Sequence, residues 1–518
     1  MNKWHYLRRF FPEKQQTQPS EAQSAAAPAE HVHTSLQENE AWANQTFRDC
    51  DDVIRETIHI HEGQGAKLLL VYSVGLADAS RINQTIIPSL RNFLRESYPQ
   101  PLDAPSLLNQ WSISSLEPIE YLDNLVLPVF QGHLVIFIDG IASAFSLDIS
   151  NPPNRKPEEA STENTIRGPR DAFIEDLSIN VALVRKRLPT SSLCFELYHL
   201  GRRSRTKTGL LYIKDIIRPD VVAEVQRRLA NIDMDAVFSS NELEELLAEA
   251  KWSLFPQFEY TGRPDHVVAS LLRGRFAILL DGVPTAIIAP TNLTLVVKSS
   301  EDLHSSYAFV AFGRLLRMLG LCISLFLPAF YLSFATHHQD QLPLSMLATI
   351  VMSRKGTPLP TPIECLIMLF MFELFREAGM RLPSMIGQTL TVVGGLIIGD
   401  AAIRAGLTSA TLLVVIGTAA VATFSLVNQT LVGAVSILRV LISIVTAFLG
   451  LFGFLLSVFA ILVYLANLRS FGIPYLAPIS PINMRDFVHS LFRAPASKIQ
   501  KRPDILDTRD STRRGNSN

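Results

Sequence analysis

One short stretch has the residue types and spacing for chemistry. Glu373-Leu-Phe-Arg376-Glu377-Ala-Gly-Met-Arg381 runs directly into residues 382–399, which carry no charge. Glu373 and Glu377 stand one helical turn apart, as do Glu377 and Arg381, a spacing at which opposite charges stabilise a helix by about 0.2–0.5 kcal/mol. Gly387, Thr391, Gly395 and Gly399 recur every fourth residue before Asp400. On a helix they share one face, and small residues so placed let helices approach closely in lipid. Ionisable groups at a membrane boundary are costly unless they pair or line a path. The cluster therefore reads either as a salt-laced helix at the membrane surface or as a vestibule or gate for ions. Arg439, charge-free on both sides, must snorkel, pair or face water.

Other chemistry is absent. No Walker loop, nucleophile elbow or zincin helix occurs, so no catalytic residue and no cofactor is expected. Cys50, Cys194, Cys322 and Cys365 are scattered and read as free thiols without metal spacing. His337, His338 and Asp340 read as an exposed loop, because a metal needs more convergent ligands. A formal net charge of -1 over 518 residues gives no sign of a nucleic-acid partner.

The elements that carry these residues divide sharply. Up to about Arg317 the composition is that of a soluble protein, and beyond it the chain is mostly apolar. Residues 318–335, 382–399, 407–427 and 440–468 are long and apolar enough to span a bilayer. The shorter pieces 343–352 and 362–375 raise the count to as many as six. Arg314 and Arg317 before the first span, and the basic residues after the last, place both termini in the cytoplasm. The basic start Met1-Asn-Lys-Trp-His-Tyr-Leu-Arg-Arg9 has no apolar stretch after it, so no signal peptide is expected.

The soluble part contains an internal duplication. Gly132-His-Leu-Val-Ile-Phe-Ile-Asp-Gly140 returns as Gly274-Arg-Phe-Ala-Ile-Leu-Leu-Asp-Gly282, and Leu68-Leu-Leu-Val-Tyr-Ser73 resembles Leu210-Leu-Tyr-Ile-Lys-Asp215, both at an offset of 142. Each copy reads as strands and a helix ending in an Asp-Gly turn. Between the copies, Pro169 suits a helix start, and Phe173, Leu177, Val181 and Val184 form an apolar stripe. Arg167, Arg170, Arg185 and Arg187 beside it are candidates for coupling the subdomains through ion pairs with Glu163, Asp171, Glu175 and Asp176, with binding of an anionic partner the alternative.

The fold class is thus a multi-domain membrane protein, with tandem duplicated α/β cytoplasmic subdomains followed by an α-helical transmembrane domain. The expected divisions are a disordered tail (1–48), subdomain 1 (49–155), a linker with its amphipathic helix (156–190), subdomain 2 (191–300), the transmembrane domain (301–482) and a basic disordered tail (483–518).

Taken together, Arg167-Gly-Pro-Arg-Asp-Ala-Phe173, Arg263-Pro-Asp265, Asp281-Gly-Val-Pro284, Arg314-Leu-Leu-Arg317, Leu327-Pro-Ala-Phe-Tyr331, Phe375-Arg-Glu-Ala-Gly-Met-Arg-Leu-Pro383 and Ser470-Phe-Gly-Ile-Pro-Tyr-Leu-Ala-Pro478 resemble the A-subunit family of bacterial spore germinant receptors, the GerA family. The chain departs from the family pattern at residues 425–430, at the lone Arg439 and at Asp400, where an amide is more usual. The resemblance implies a multi-pass protein of the spore inner membrane. It further implies a transporter-like B subunit and a lipoprotein C subunit as partners, and a homo-oligomeric ring, a pentamer, that releases ions in lipid. The alternative is a non-conducting scaffold, or a paralogue associated with the dipicolinate-release machinery.

Overall fold

The computed structural model describes residues 30–59, 67–97, 116–152, 167–381, 399–492 and 500–513. Two antiparallel five-stranded sheets form the first half. The first comprises β1 (Val53–His59), β2 (Lys67–Ser73), β3 (Leu116–Ile119), β4 (His133–Ile138) and β5 (Ala144–Asp148), in the order β1-β2-β4-β5-β3. The second comprises β6 (Leu193–Leu200), β7 (Thr206–Ile213), β8 (Glu259–Thr261), β9 (Phe276–Leu280) and β10 (Ala286–Ala289), in the matching order β6-β7-β9-β10-β8. Leu68 to Val71 in β2 and Phe276 to Leu280 in β9 are fully buried, as central strands covered on both faces require.

Register corrects the repeat in one detail. Leu70 faces Ile136 in the first sheet and Leu210 faces Ile278 in the second. The β4–β9 equivalence keeps the offset of 142, but β2 and β7 correspond at 140. The two-residue slip preserves which side chains face which side of the sheet, so sequence similarity alone does not expose it.

A helix opens each copy. In the first it is α1 (Leu36–Thr46). After α2 (Ile87–Ser97) and α3 (Val126–Gln131), the equivalent helix in the second copy is α4 (Leu177–Arg185). The carboxylate of Asp139 accepts from the amide of Leu36, and that of Asp281 from the amide of Leu177, each at 3.1 Å. Asn39 bonds both backbone groups of His33 (3.0 and 2.7 Å), and Asn180 does the same to Ile174 (2.8 and 2.6 Å). The Asp-Gly turns therefore end a strand and also hold the N-terminus of a helix. Gly140 and Gly282 take φ of 89° and 83° there, backbone that side chains rarely adopt.

Three expectations change. The segment taken as a linker helix is the first element of the second copy; its stripe Phe173, Leu177, Val181 and Val184 is buried against the second sheet, as the spacing predicts. The tail expected to be disordered through residue 48 contains α1, because Leu36, Ala43 and Phe47 provide a buried face amid polar composition. The C-terminal tail also contains structure. Arg502 donates to the carbonyl of Leu272 and Arg509 to that of Ile216, pinning residues 500–513 to the second copy.

After α5 (Pro219–Ala230), α6 (Ser240–Leu247) and α7 (Pro264–Leu271), the helical part begins with α8 (Tyr307–Thr336). Next come α9 (Leu344–Ser353), α10 (Thr361–Arg381), α11 (Ala410–Thr423), α12 (Gln429–Asn467) and α13 (Met484–Leu491). Among the described residues, α8 and α12 are long and apolar enough to cross a membrane. The span expected at 407–427 is shorter. Ser409 caps α11 and Asn428 caps α12, leaving 14 helical residues, or about 21 Å against a hydrocarbon core of about 30 Å. Residues 382–398 lie outside the described residues.

The sheets are joined where residues 49–51 run beside β6 and the guanidinium of Arg185 grips both carboxylate oxygens of Asp52 at 2.8 Å. Arg185 is fully buried, and its guanidinium also lies over the Phe130 ring, 4.3 Å from the centroid. Arg185→Met strands the Asp52 charge and should destabilise the protein by about 3–5 kcal/mol, whereas Arg185→Met with Asp52→Leu should recover most of that. Thermal unfolding of the full chain in detergent, followed by circular dichroism, checks both.

Candidate functional site

Three helices bring a charged network together. Glu373 on α10 pairs with Arg376 one turn later at 2.7 Å and with Arg439 on α12. Arg439 also donates to the hydroxyl of Thr423 at the end of α11 (3.3 Å), and Arg376 to that of Ser436 on α12. Arg439 is 3% exposed, so the alternatives left open by the sequence resolve to pairing. Two guanidiniums share one carboxylate, and the group keeps a net positive charge.

The remaining predicted residues do not join it. Glu377 and Arg381 pair with each other at 2.6 Å, and Asp400 pairs with Arg404 at 2.8 Å, all substantially exposed. Exposed pairs of this kind contribute little. Gly399 lies against Leu413 of α11, while Gly387, Thr391 and Gly395 lie outside the described residues. Thr423 and Ser436 had no sequence signal, since hydroxyls in apolar helices are common.

A fully buried acid sits nearer the start of α10. Glu364 is fully buried, 3.6 Å from Arg354, and accepts from the amide of Ser409, so it ties the N-termini of α10 and α11. His337 Nε2 donates to the carbonyl of Ala447 at 3.0 Å. That carbonyl lies just before Gly450, where α12 breaks with φ of 61°.

The soluble and helical parts meet at a third cluster. Asp302 receives Arg314 at 2.9 Å and Arg317 at 2.6 Å, both from the first turns of α8. Next to it Arg263 binds Asp265 at 2.8 Å and Glu301 at 2.6 Å, and Asp265 also meets His304 at 2.7 Å. Gly168 packs directly on the Arg263 guanidinium, where a Cβ would collide. That explains the glycine of Arg167-Gly-Pro.

Residues 41–505 match the family described as Bacillus/Clostridium GerA spore germination protein. The chain belongs to the GerA family. Spore germination protein XA of Bacillus anthracis is 42% identical over 93% of this chain and 99% of its own length. Spore germination protein KA of Bacillus subtilis is 32% identical over 93% and 89%. A solved structure titled as the N-terminal domain of the A subunit of the Bacillus megaterium spore germinant receptor GerK3 aligns with 51% of this chain and 98% of that one, at 26% identity and a TM-score of 0.41.

Of the four arginines expected to couple the subdomains in this GerA-family chain, Arg187 meets Asp171 at 2.5 Å within the second copy. Arg185 instead reaches Asp52 across the copies. Arg167 engages Glu301 through its backbone amide, and Arg170 is exposed.

Burial alone would raise the Asp302 carboxyl, but Arg317 and Arg314 outweigh it and hold the group below the usual carboxylate range. Its stabilisation is therefore present above the unfolded value near pH 3.9 and is lost as pH falls through the folded value. Asp302→Asn should lower the unfolding temperature at pH 7 and flatten its decline below about pH 4. Thermal unfolding of the full chain across that range checks this.

Proposed function

We propose that this GerA-family chain is the A subunit of a nutrient-sensing spore germinant receptor, a homo-oligomer whose membrane helices conduct ions and whose gate is the Glu373–Arg376–Arg439 network. The observation that carries this reading is Arg439. A guanidinium buried in an apolar helix is expensive, and such residues mark ion paths, relays and sensors. Here it is anchored to a single carboxylate shared with Arg376. A net positive constriction repels cations, so the observed arrangement suits a closed state. Movement of α10 relative to α12 would separate Arg439 from Glu373 and change both charge and width at that depth.

Membership in the family supports the finer parts of the proposal. They are a pentameric ring, a transporter-like B subunit as nutrient binder, a lipoprotein C subunit, and a multi-pass position in the spore inner membrane with both termini cytoplasmic. The face Gly387, Thr391, Gly395 and Gly399 then packs against its copy in a neighbouring subunit. Self-complementary surfaces of this kind close rings.

Potassium flux through liposomes holding the full chain tests the gate. Arg439→Gln should raise basal flux several-fold by removing the positive barrier. Glu373→Gln leaves two guanidiniums unpaired, and should lower flux and weaken folding by about 3–5 kcal/mol. The exchanged pair Glu373→Arg with Arg439→Glu should restore folding. Unchanged flux in all three, with assembly intact, places the path elsewhere.

A further inference from the structure

The junction beside Asp302 contains more positive charge than its acids neutralise. A small half-open cleft lies between the start of α8 and α13, lined by Thr294, Lys298, Arg314, Met318, Phe487 and Leu491. Arg314 reaches across it to the carbonyl of Ser490 at 3.0 Å. Arg273 and Arg275 lie outside the cleft lining but near enough to Lys298 to act on its charge, and Arg275 donates to the carbonyl of Pro290 at 3.0 Å. Asp302 is engaged by Arg314 and Arg317, and Glu259 by His266 at 3.1 Å. Among the described residues, no carboxylate stands within ion-pair distance of Lys298, Arg273 or Arg275. Burial, then Arg273, Arg314 and Arg275, push the Lys298 ammonium well below its usual value. Arg275 is buried and Lys298 and Arg273 are half-buried, and cations withdrawn from water are ordinarily paired, so this cluster lacks an anion.

The surroundings indicate which anion. Arg314 lies four residues before Met318, where the apolar run of α8 begins, which puts the cleft at the water boundary of a membrane helix. α13 buries Asp486 inward, while its Met484 and Val488 are 67 and 46% exposed and the flanking Ile482 and Phe492 are 76 and 48% exposed. A helix with one apolar face turned outward beside a membrane span lies in the interface. The cleft thus has cations at its base and apolar side chains on its walls, Met318 on one side and Phe487 and Leu491 on the other. Basic pockets at the ends of membrane helices take lipid head groups.

We propose that this cleft binds the phosphate of an anionic phospholipid, with Lys298 as the central donor and α13 as the outer wall resting in the leaflet. Lys298 donates to the phosphate oxygens, Arg273 and Arg275 add attraction from outside the lining, and the acyl chains run along Met318, Phe487 and Leu491. The proposal requires the chain to lie in a membrane and is independent of ion conduction. A bound head group would fasten the soluble domain to the bilayer at the joint that Asp302 already forms.

Native mass spectrometry and thermal unfolding of the full chain in detergent test it, with phosphatidylglycerol, phosphatidylcholine and inorganic phosphate as probes. Wild type should retain phosphatidylglycerol at least about tenfold more strongly than phosphatidylcholine, a factor equal to about 1.4 kcal/mol, and be stabilised by it. Lys298→Met should abolish that preference and, by removing an unpaired half-buried cation, raise the unfolding temperature without lipid. A purely structural lysine would lower it. Lys298→Arg should keep the preference. Should Lys298→Met fold poorly, Arg273→Gln should still weaken lipid retention several-fold. Equal retention of both lipids, or retention unaffected by Lys298→Met and Arg273→Gln, overturns the site. Stabilisation by millimolar inorganic phosphate equal to that by phosphatidylglycerol overturns the lipid assignment in favour of a free anion.

Discussion

A guanidinium taken out of water is costly unless it meets an anion, and the chain is held at its joints by pairs that answer this constraint. Arg185 and Asp52 fasten the two sheet copies, Arg263 fastens the start of α7 to the segment before α8, and Asp302 collects Arg314 and Arg317 as that helix begins. Arg439 and Glu373 repeat the device between α12 and α10. Such pairs are weak sources of net stability, because desolvation consumes much of their attraction, yet breaking one leaves a stranded charge. They therefore specify which elements meet more than they raise the stability of the whole.

Packing supplies the stability and also crosses the boundary between the two halves. Phe255, Leu293 and Val296 of the soluble part belong to one apolar cluster with Leu321 and Leu325 of α8 and Leu431 and Val435 of α12. Close-packed interiors transmit displacement because they compress little. A shift of the second sheet against its neighbours would thus be carried into both long helices. The tie from Tyr464 to Ser253 at 3.0 Å reinforces the contact near the far end of α12.

The sequence showed most where chemistry is local. Apolar strands, the Asp-Gly turns and the stripe from Phe173 to Val184 declare themselves within a few residues, and all adopt the expected form. What it hid depends on distance or on faint composition. The partner of Arg185 lies 133 residues away, and acids adjacent in sequence are the natural but mistaken choice. α1 sits in polar sequence, where its sparse buried face of Leu36, Ala43 and Phe47 and its equivalence to α4 through Asn39 and Asn180 give little local signal. The shortness of α11 follows from Ser409 and Asn428 acting as caps, which apolar run length does not register.

The opening cluster divides along the same line. Glu377–Arg381 and Asp400–Arg404 satisfy helical spacing and each lies exposed on a single helix, where a change of partner strands no buried charge. Glu373 shares that spacing with Glu377 but points to α12, where its loss would strand Arg439. Spacing identifies which residues can pair along one helix, and burial determines which pair can hold two arrangements apart by several kcal/mol. A switch needs such a gap, because a pair worth a few tenths of a kcal/mol is remade by thermal motion and cannot bias a packed helix. Of the three pairs, only Glu373–Arg439 joins two helices and keeps a buried charge dependent on the contact.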